Sequence, residues 1–460
     1  MGLRQRLYDG SPVWVQNLAV TAYGYQLKRK RYGTGFAAVR RQIEDCRTWS
    51  ATQIREYQDA RFAEVLDRSF DAVPYYRRTF GELGITRADL SSLAELARLP
   101  LLAKDVVRRH GPELISHGVA SYWVQHTSGS TGTPLDVHLN RWTYQLVHGL
   151  LADYERHSGI SRQDLRATFA GRLTQPVDRM TPPFWRYNHA ERQLLFSAYH
   201  LNDETLPLYL GELRRRRPSE IIGYPSAIST VAEYAVRKGL VGDVRPRVVI
   251  TNSETLLAWQ REVIEEAFRC PVRDYYGSAE AVVFAEQCAQ QAYHVNPLLG
   301  VAEVLDQSGA PALEGQLVCT TLTNTVMPLI RYEIGDTATV LNTPCACGRP
   351  WAAFTQIVGR TDDVIVTPDG RRIGRIDHIF KGLHGIRECQ VVQESPSLVR
   401  LDIVTTGEFT ERDLLLGNIR ERLGPEMMVE LNFVDRIPRT ASGKFRGVIS
   451  RVRKEEPASH

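Results

Sequence analysis

No stretch of this 460-residue chain is long and apolar enough to span a bilayer. The one apolar run near the amino end, Val13 to Tyr23, is broken by Gln16 and Asn17, and no small-residue cleavage site follows it, which argues against a secretory signal. A charge excess is missing too. The 57 basic and 53 acidic residues leave a net charge of +4, too little to demand nucleic acid as a partner. The local clusters Lys28–Arg31 and Arg214–Arg217 read as solvated faces. Seven cysteines scattered over this length do not make a disulfide scaffold, and their odd number fits a reducing cytoplasm. There is no internal repeat and no low-complexity segment. There is also no Walker loop, which would need four residues between its glycines and then Gly-Lys-Ser/Thr.

What the chain does have is His126-Thr127-Ser128-Gly129-Ser130-Thr131-Gly132-Thr133-Pro134. Glycines let the backbone turn its N–H groups inward, and hydroxyls add donors beside them, a combination suited to phosphate oxygens. The next five residues, Leu135 to Leu139, alternate as a strand does, so the loop reads as a turn between strands. The bland alternative is a Ser/Gly surface turn.

The apolar fraction of 43% and charged fraction of 24% are those of a soluble globular chain, and the length implies more than one domain. Residues 40–120 are rich in helix formers. Trp14 to Val20, followed by Lys28–Arg31, reads as a packed amphipathic helix; the competing reading lays it on a membrane surface. Val248–Thr251 reads as a buried strand, Trp259–Phe268 as a helix, and Val272–Tyr276 as a second strand. That order predicts a parallel α/β sheet with ligands beyond the strand ends. Past residue 360 the texture changes. A helix at Ile376–Lys381, strands at Cys389–Gln393 and Leu398–Val404, a helix at Glu411–Leu423 and a strand near Val429–Val434 predict a small α+β domain. The expected domains are 1–361 and 362–460.

Five further patterns follow in order. In Tyr275-Tyr276-Gly277-Ser278-Ala279-Glu280 an aromatic can stack on a purine and a carboxylate can hold Mg2+. In Leu329 to Asp336, Asp336 follows Gly335 at an expected turn, with acceptors for ribose hydroxyls. Arg360 in Val358 to Asp363 is a fixed fork of donors. Lys444 in Pro438 to Lys444 is a mobile point charge. Lastly, Cys288, His294, Cys345 and Cys347 offer three thiolates and an imidazole, a complete tetrahedral zinc shell that would staple the loop after Glu280 to the strand before Arg360.

In this order the residues resemble the adenylate-forming superfamily of acyl-CoA synthetases, adenylation domains and luciferases, and most of all its phenylacetate–CoA ligase branch, including members among capsule and polysaccharide biosynthesis proteins. The resemblance spans roughly residues 70–450. It implies a large multi-sheet α/β amino-terminal domain and a small mobile carboxy-terminal domain. It also implies an ATP-dependent ligase that joins a small carboxylic acid to coenzyme A through an acyl-adenylate, or to an amine instead. Thr127 to Gly132 (Thr127, Ser128, Gly129, Ser130, Thr131, Gly132) would be the phosphate loop. Tyr276 would stack on adenine beside Tyr275, Gly277 and Ser278, and Glu280 would bind Mg2+. Asp336 and Arg360 would hold the ribose, Asp362 would be the hinge, and Lys444 would meet the carboxylate and α-phosphate. Ser253 and Glu254, following a buried strand, should face the nucleotide, and Gly223–Ala227 the acyl group. Related loops often carry lysine where this chain has Thr133, which implies lower affinity or altered kinetics without loss of activity. Phe184–Tyr187 lines a pocket or packs; Arg186 is expected in a surface ion pair, with pairing to an acidic substrate as the competing reading. A homodimer is one expected assembly.

Overall fold

Buried β-branched runs separated by helices of ten to thirteen residues cannot pair as hairpins, so they pair in parallel through crossovers. The computed structural model bears this out. It describes all residues except 1–2, 91, 127–134, 172–173, 177–178, 360–364, 369–371, 374–375, 381–382, 384, 406, 439–444 and 453–460. The chain divides into two compact units: Met1–Ile334 with Ala338–Ile357, and Gly335–Thr337 with Val358–His460.

The first unit opens with helices α1 (Leu3–Gly10), α2 (Val13–Tyr32), α3 (Phe36–Cys46), α4 (Ala51–Ala72), α5 (Pro74–Glu82) and α6 (Lys104–Arg109). Strands β1 (Trp123–His126) and β2 (Asp136–Leu139) then pair antiparallel, and α7 spans Arg141–His157. After these come β3 (Arg166–Ala170), β4 (Trp185–Asn188), β5 (Gln193–Ser197), α8 (Leu206–Arg216), β6 (Glu220–Gly223), α9 (Pro225–Arg237), β7 (Val248–Asn252), α10 (Ala258–Phe268) and β8 (Val272–Gly277). The remainder is β9 (Phe284–Gln287), β10 (Tyr293–Val295), β11 (Gly300–Leu305), β12 (Glu314–Thr321), β13 (Tyr332–Val340) and β14 (Ala353–Val358). Strands β3–β14 form one sheet of twelve, ordered β11-β12-β13-β14-β10-β9-β8-β7-β6-β3-β5-β4.

Strands β5, β3, β6, β7 and β8 are mutually parallel, and all four residues of β6 and the first four of β7 are buried, as a sheet covered on both faces requires. From β8 onward the pairing with β9, and of β9 with β10, is antiparallel. The expected βαβ alternation therefore stops at β8, because the connections after it are too short for a crossover helix.

Two expectations near the amino end are corrected. Helix α2 is not amphipathic in the expected sense. Its buried residues are Gln16, Thr21, Gly24 and Leu27, whereas Trp14, Leu18 and Tyr25 are exposed. The polar face is the packed one because β4, on the sheet's edge, offers backbone groups. Asn17 Oδ1 accepts from the Tyr187 N–H at 2.9 Å, Thr21 Oγ1 accepts from the His189 N–H at 3.1 Å, and Lys28 Nζ donates to Ala190 O at 2.8 Å. Arg186 is also no surface ion pair. It is fully buried and donates to Gln16 Oε1 and, at 2.7 Å, to the Pro183 and Trp185 carbonyls. Burial pulls its guanidinium below the usual arginine range.

The second unit contains a two-stranded ribbon, β15 (Ile365–Val366) with β16 (Arg372–Ile373), and a sheet ordered β19-β18-β17-β20 from β17 (Ile386–Ser395), β18 (Leu398–Thr405), β19 (Met428–Phe433) and β20 (Val448–Ser450). Helix α11 (Arg412–Leu423) covers it through Leu415, Ile419 and Leu423, against Val391, Leu401 and Ile403. The segment expected as a helix near Ile376 is a 3-10 turn, Ile376–Phe380, too short to hold an α-helix.

Candidate active site and metal centre

The parallel register carries every chain end of β6, β7 and β8 to the same edge of the sheet. Gly223 pairs with Thr251, and Asn252 pairs with Tyr275. The residues just beyond these strands therefore gather where a parallel sheet binds ligands. At β6, a Cβ on Gly223 would lie 1.8 Å from the Phe169 carbonyl oxygen, at a φ of +148°, so only glycine lets the strand end here. At β7, Ser253 takes a positive φ of +68° and Glu254 turns back, accepting from the Ser226 N–H of α9 at 3.1 Å. A carboxylate at a helix amino terminus is stabilised by the helix dipole. Glu254 thus ties the β7 loop to the motif that opens α9.

Beyond β8 lies the Tyr275–Glu280 motif, where the sheet turns from parallel to antiparallel. Tyr275 is enclosed between Tyr154 and Phe284, its ring stacked on Phe284 at 5.3 Å, and burial raises its phenol far above the ordinary value. Tyr275 and Tyr276 are both half-buried, and Gly277 is exposed. The hydroxyl of Ser278 is buried with no partner among the described residues. An orphaned buried hydroxyl is costly unless a ligand takes it, and it fits a nucleotide site.

Glu280 is buried, with a cation and a hydroxyl on one oxygen: Lys104 Nζ donates to Oε1 at 3.0 Å and Tyr332 Oη donates to it at 2.9 Å. Lys104 was not singled out in the sequence, since a lone lysine carries no pattern. Backbone pairing brings it there. Leu102 bridges to Tyr332 in parallel, with Leu102 N–H to Arg331 O at 2.9 Å and Glu333 N–H to Leu102 O at 3.1 Å, so α6 starts above Glu280. Tyr332 lies inside the quoted Leu329–Asp336 pattern. Its neighbour Arg331, at a φ of +48°, is buried as a brace donating to Leu99 O at 2.7 Å and to Glu303.

Asp336 is not at a turn. It stands within β13, and the glycine before it, at a φ of +90°, bends the strand without ending it. The flanks of the hydroxyl-rich loop are strands β1 and β2, as expected, with His126 Nδ1 and Asp136 Oδ1 2.6 Å apart across its base. The loop residues Thr127 to Gly132, with Thr133, lie outside the described residues, as do Arg360, Asp362 and Lys444.

Asp274, one residue before the motif, carries no sequence signal of its own. Fully enclosed, it accepts from Thr251 Oγ1 at 2.6 Å and Tyr293 Oη at 2.7 Å, and burial pushes its carboxyl up to about 7.

The ligand atoms of Cys288, His294, Cys345 and Cys347 all lie within 4.8 Å of one another. Cys288 Sγ is 3.7 Å from Cys345 Sγ, and Cys347 Sγ is 3.2 Å from His294 Nε2. A tetrahedral zinc with thiolate bonds of about 2.3 Å sets its ligand atoms about 3.6–3.8 Å apart, so the residues fit such an ion. Two local devices make the cluster. The chain turns between Cys288 and Ala292, where the Cys288 N–H meets Ala292 O at 2.9 Å, before β10 presents His294. Gly348, at a φ of +79°, donates to Cys345 O at 3.0 Å and folds Cys345 and Cys347 together. Burial holds His294 below its ordinary value, in the neutral form that ligates. Beneath it, Glu286 accepts from both Arg349 and Arg47 at 2.6 Å.

Comparison with known proteins agrees with this architecture. Residues 365–451 match the CapK C-terminal domain family. Protein CapK of Staphylococcus aureus is 25% identical over 457 residues, 97% of this chain and 99% of its own. A phenylacetate–coenzyme A ligase of Thermus thermophilus is 26% identical over 343 residues, covering 68% of this chain and 72% of its own. Among solved structures, 2-hydroxyisobutyryl-CoA ligase in the postadenylation state superposes with a TM-score of 0.70 at 22% identity, covering 88% of this chain and 91% of the ligase. This chain is similar along nearly its whole length to CapK and over about two thirds of it to the phenylacetate–coenzyme A ligase, and it has the fold of 2-hydroxyisobutyryl-CoA ligase.

Proposed function

We propose that this protein is an ATP-dependent carboxylate ligase, forming an acyl-adenylate and then a thioester with coenzyme A. The observation that carries the reading is Glu280, a buried carboxylate held by Lys104 and Tyr332 at the end of the last parallel strand, beside the orphaned Ser278 hydroxyl and half-buried Tyr276. A carboxylate is a weak nucleophile with a poor leaving oxygen. Attack on the α-phosphorus of ATP gives the acid an AMP leaving group and releases pyrophosphate.

The catalysis asked of the protein is positioning and neutralisation of developing negative charge. Glu280 would hold Mg2+, which when bound neutralises phosphate charge. Tyr276 would stack on adenine. Thr127 to Gly132 would close over the phosphates, Asp336 and Arg360 would hold the ribose, and Lys444 would meet the α-phosphate. The unit beyond the Asp362 hinge would swing between half-reactions and keep water from the adenylate. The domain division proposed is 1–361 and 362–460, acting in the cytoplasm. The Cys288–His294–Cys345–Cys347 cluster would take a structural zinc, with all four positions filled by protein and none left for substrate.

A second acceptor is motivated by the resemblance to capsule and polysaccharide biosynthesis proteins. On that reading the acyl group passes to an amine, as in polysaccharide building. Carboxylate-dependent exchange of pyrophosphate into ATP, screened over aryl, fatty and hydroxy acids, tests the shared first step. Silence across the panel overturns it. AMP release that requires coenzyme A assigns the thioester, and product formed with an amine alone assigns the amide.

A further inference from the structure

Helix α2 packs Leu27 inward but leaves a row of apolar residues on its solvent side. Trp14, Leu18, Ala22 and Tyr25, spaced by four, four and three, lie on one exposed stripe, and Trp14 and Tyr25 are 66% and 59% exposed. Leu7 of α1 adds a fifth, 64% exposed. From Trp14 to Arg29, where the stripe ends, is roughly 22 Å along the helix axis at 1.5 Å per residue. The fold gains nothing from this face, because the opposite, polar face makes the contacts with β4.

The end of the stripe runs into a cavity of about 380 Å³ lined by Gln26, Arg29, Lys30, Thr34, Tyr122 and Arg141. Three of these are cations. Among the described residues none of the three has a carboxylate within ion-pair distance. Lys30 Nζ instead lies over the Trp123 ring at 4.8 Å, and the Arg141 guanidinium over Tyr122 at 5.0 Å. Cations held together on ring faces without counter-charges repel one another, and an anion entering the cavity relieves that. Elsewhere in the molecule a comparable basic run is neutralised. Arg215 and Arg216 pair with Glu212, and Arg214 with Asp243.

We propose that this face docks the protein on an anionic lipid bilayer. Trp14, Leu18, Ala22 and Tyr25 enter the boundary between headgroups and acyl chains, and Arg29, Lys30 and Arg141 receive lipid phosphate. Apolar residues with tryptophan and tyrosine along one helix face, ending in uncompensated cations, have the chemistry of an interfacial helix. A second copy of this chain fits less well: stripe against stripe covers the apolar face but leaves both sets of cations without a carboxylate. The association is peripheral, since no helix among the described residues is long and apolar enough to cross a membrane. The proposal does not depend on the catalytic reading.

Flotation of the full chain with vesicles of phosphatidylcholine, or of an equal mixture of phosphatidylcholine and phosphatidylglycerol, tests it. We expect at least about tenfold more protein on the anionic vesicles, falling with added salt. Trp14→Ser with Leu18→Ser removes binding, and Lys30→Ala or Arg141→Ala each weakens it about fivefold. Unchanged thermal melting of the variants excludes misfolding as the cause. Protein left in solution with anionic vesicles overturns the proposal, and so does binding that none of these substitutions alters. A concentration-dependent dimer dissociated by the Trp14/Leu18 pair, without vesicle binding, shows that a second copy covers the face and overturns it too.

Discussion

Lys104 Nζ sits 3.0 Å from Glu280 Oε1, so a mobile ammonium occupies the carboxylate proposed for Mg2+. Lys104 is about a quarter exposed and Glu280 is buried, which lets the lysine leave while the carboxylate stays. A divalent ion binding Glu280 must displace it or share the oxygen. Lys104→Met should therefore lower the Mg2+ concentration needed for half-maximal pyrophosphate exchange, by about threefold to tenfold for a competing surface-accessible charge. A higher Mg2+ requirement in the variant would assign Lys104 to the phosphates instead. Glu280→Gln should lose exchange by at least about a hundredfold.

Lys444→Ala separates the half-reactions. It should abolish adenylation while sparing thioester formation from supplied acyl-adenylate, because in the proposed swing Lys444 leaves the site before the second step. Rates of both steps, measured on one preparation, check this. Equal loss in both would count against a swinging unit.

For the cysteine cluster, elemental analysis should find about one zinc per chain. Stripping it with a chelator, or replacing Cys345 with serine, should lower the melting temperature by about 5 °C or more, since the proposed ion would join the β9–β10 turn to the loop before β14. A metal-free protein with an unchanged melt would refute the staple.

Asp274 predicts a pH dependence of stability. Its carboxyl is pushed from an ordinary 3.8 up to about 7 by burial. The folded protein then binds a proton here that the unfolded chain has released at intermediate pH. The contribution is complete below about pH 4 and is lost as pH rises through 7. Asp274→Asn should flatten the fall in melting temperature between pH 5 and 8. Identical pH profiles for wild type and variant would exclude Asp274 as the source.

The amino-acid order alone determined one strand–helix–strand unit of the parallel sheet, Val248–Thr251, Trp259–Phe268 and Val272–Tyr276, because a buried run alternates there with a helix of fixed apolar period; that β5, β3 and β6 join it was decided by tertiary pairing. It also pointed to the Cys288, His294, Cys345 and Cys347 set that the fold brings together, because Cys-x-Cys followed by glycine is a local signature. Tertiary structure decided what no local pattern encodes. Leu102 pairs with Tyr332 across 230 residues and so delivers Lys104 to Glu280. Asp336 is inside a strand because Gly335 bends the chain without breaking the ladder, a distinction that depends on neighbouring strands. The orientation of α2 is decided in the same way: periodicity gives the apolar face, but the polar needs of the backbone at and just beyond β4 choose which face packs.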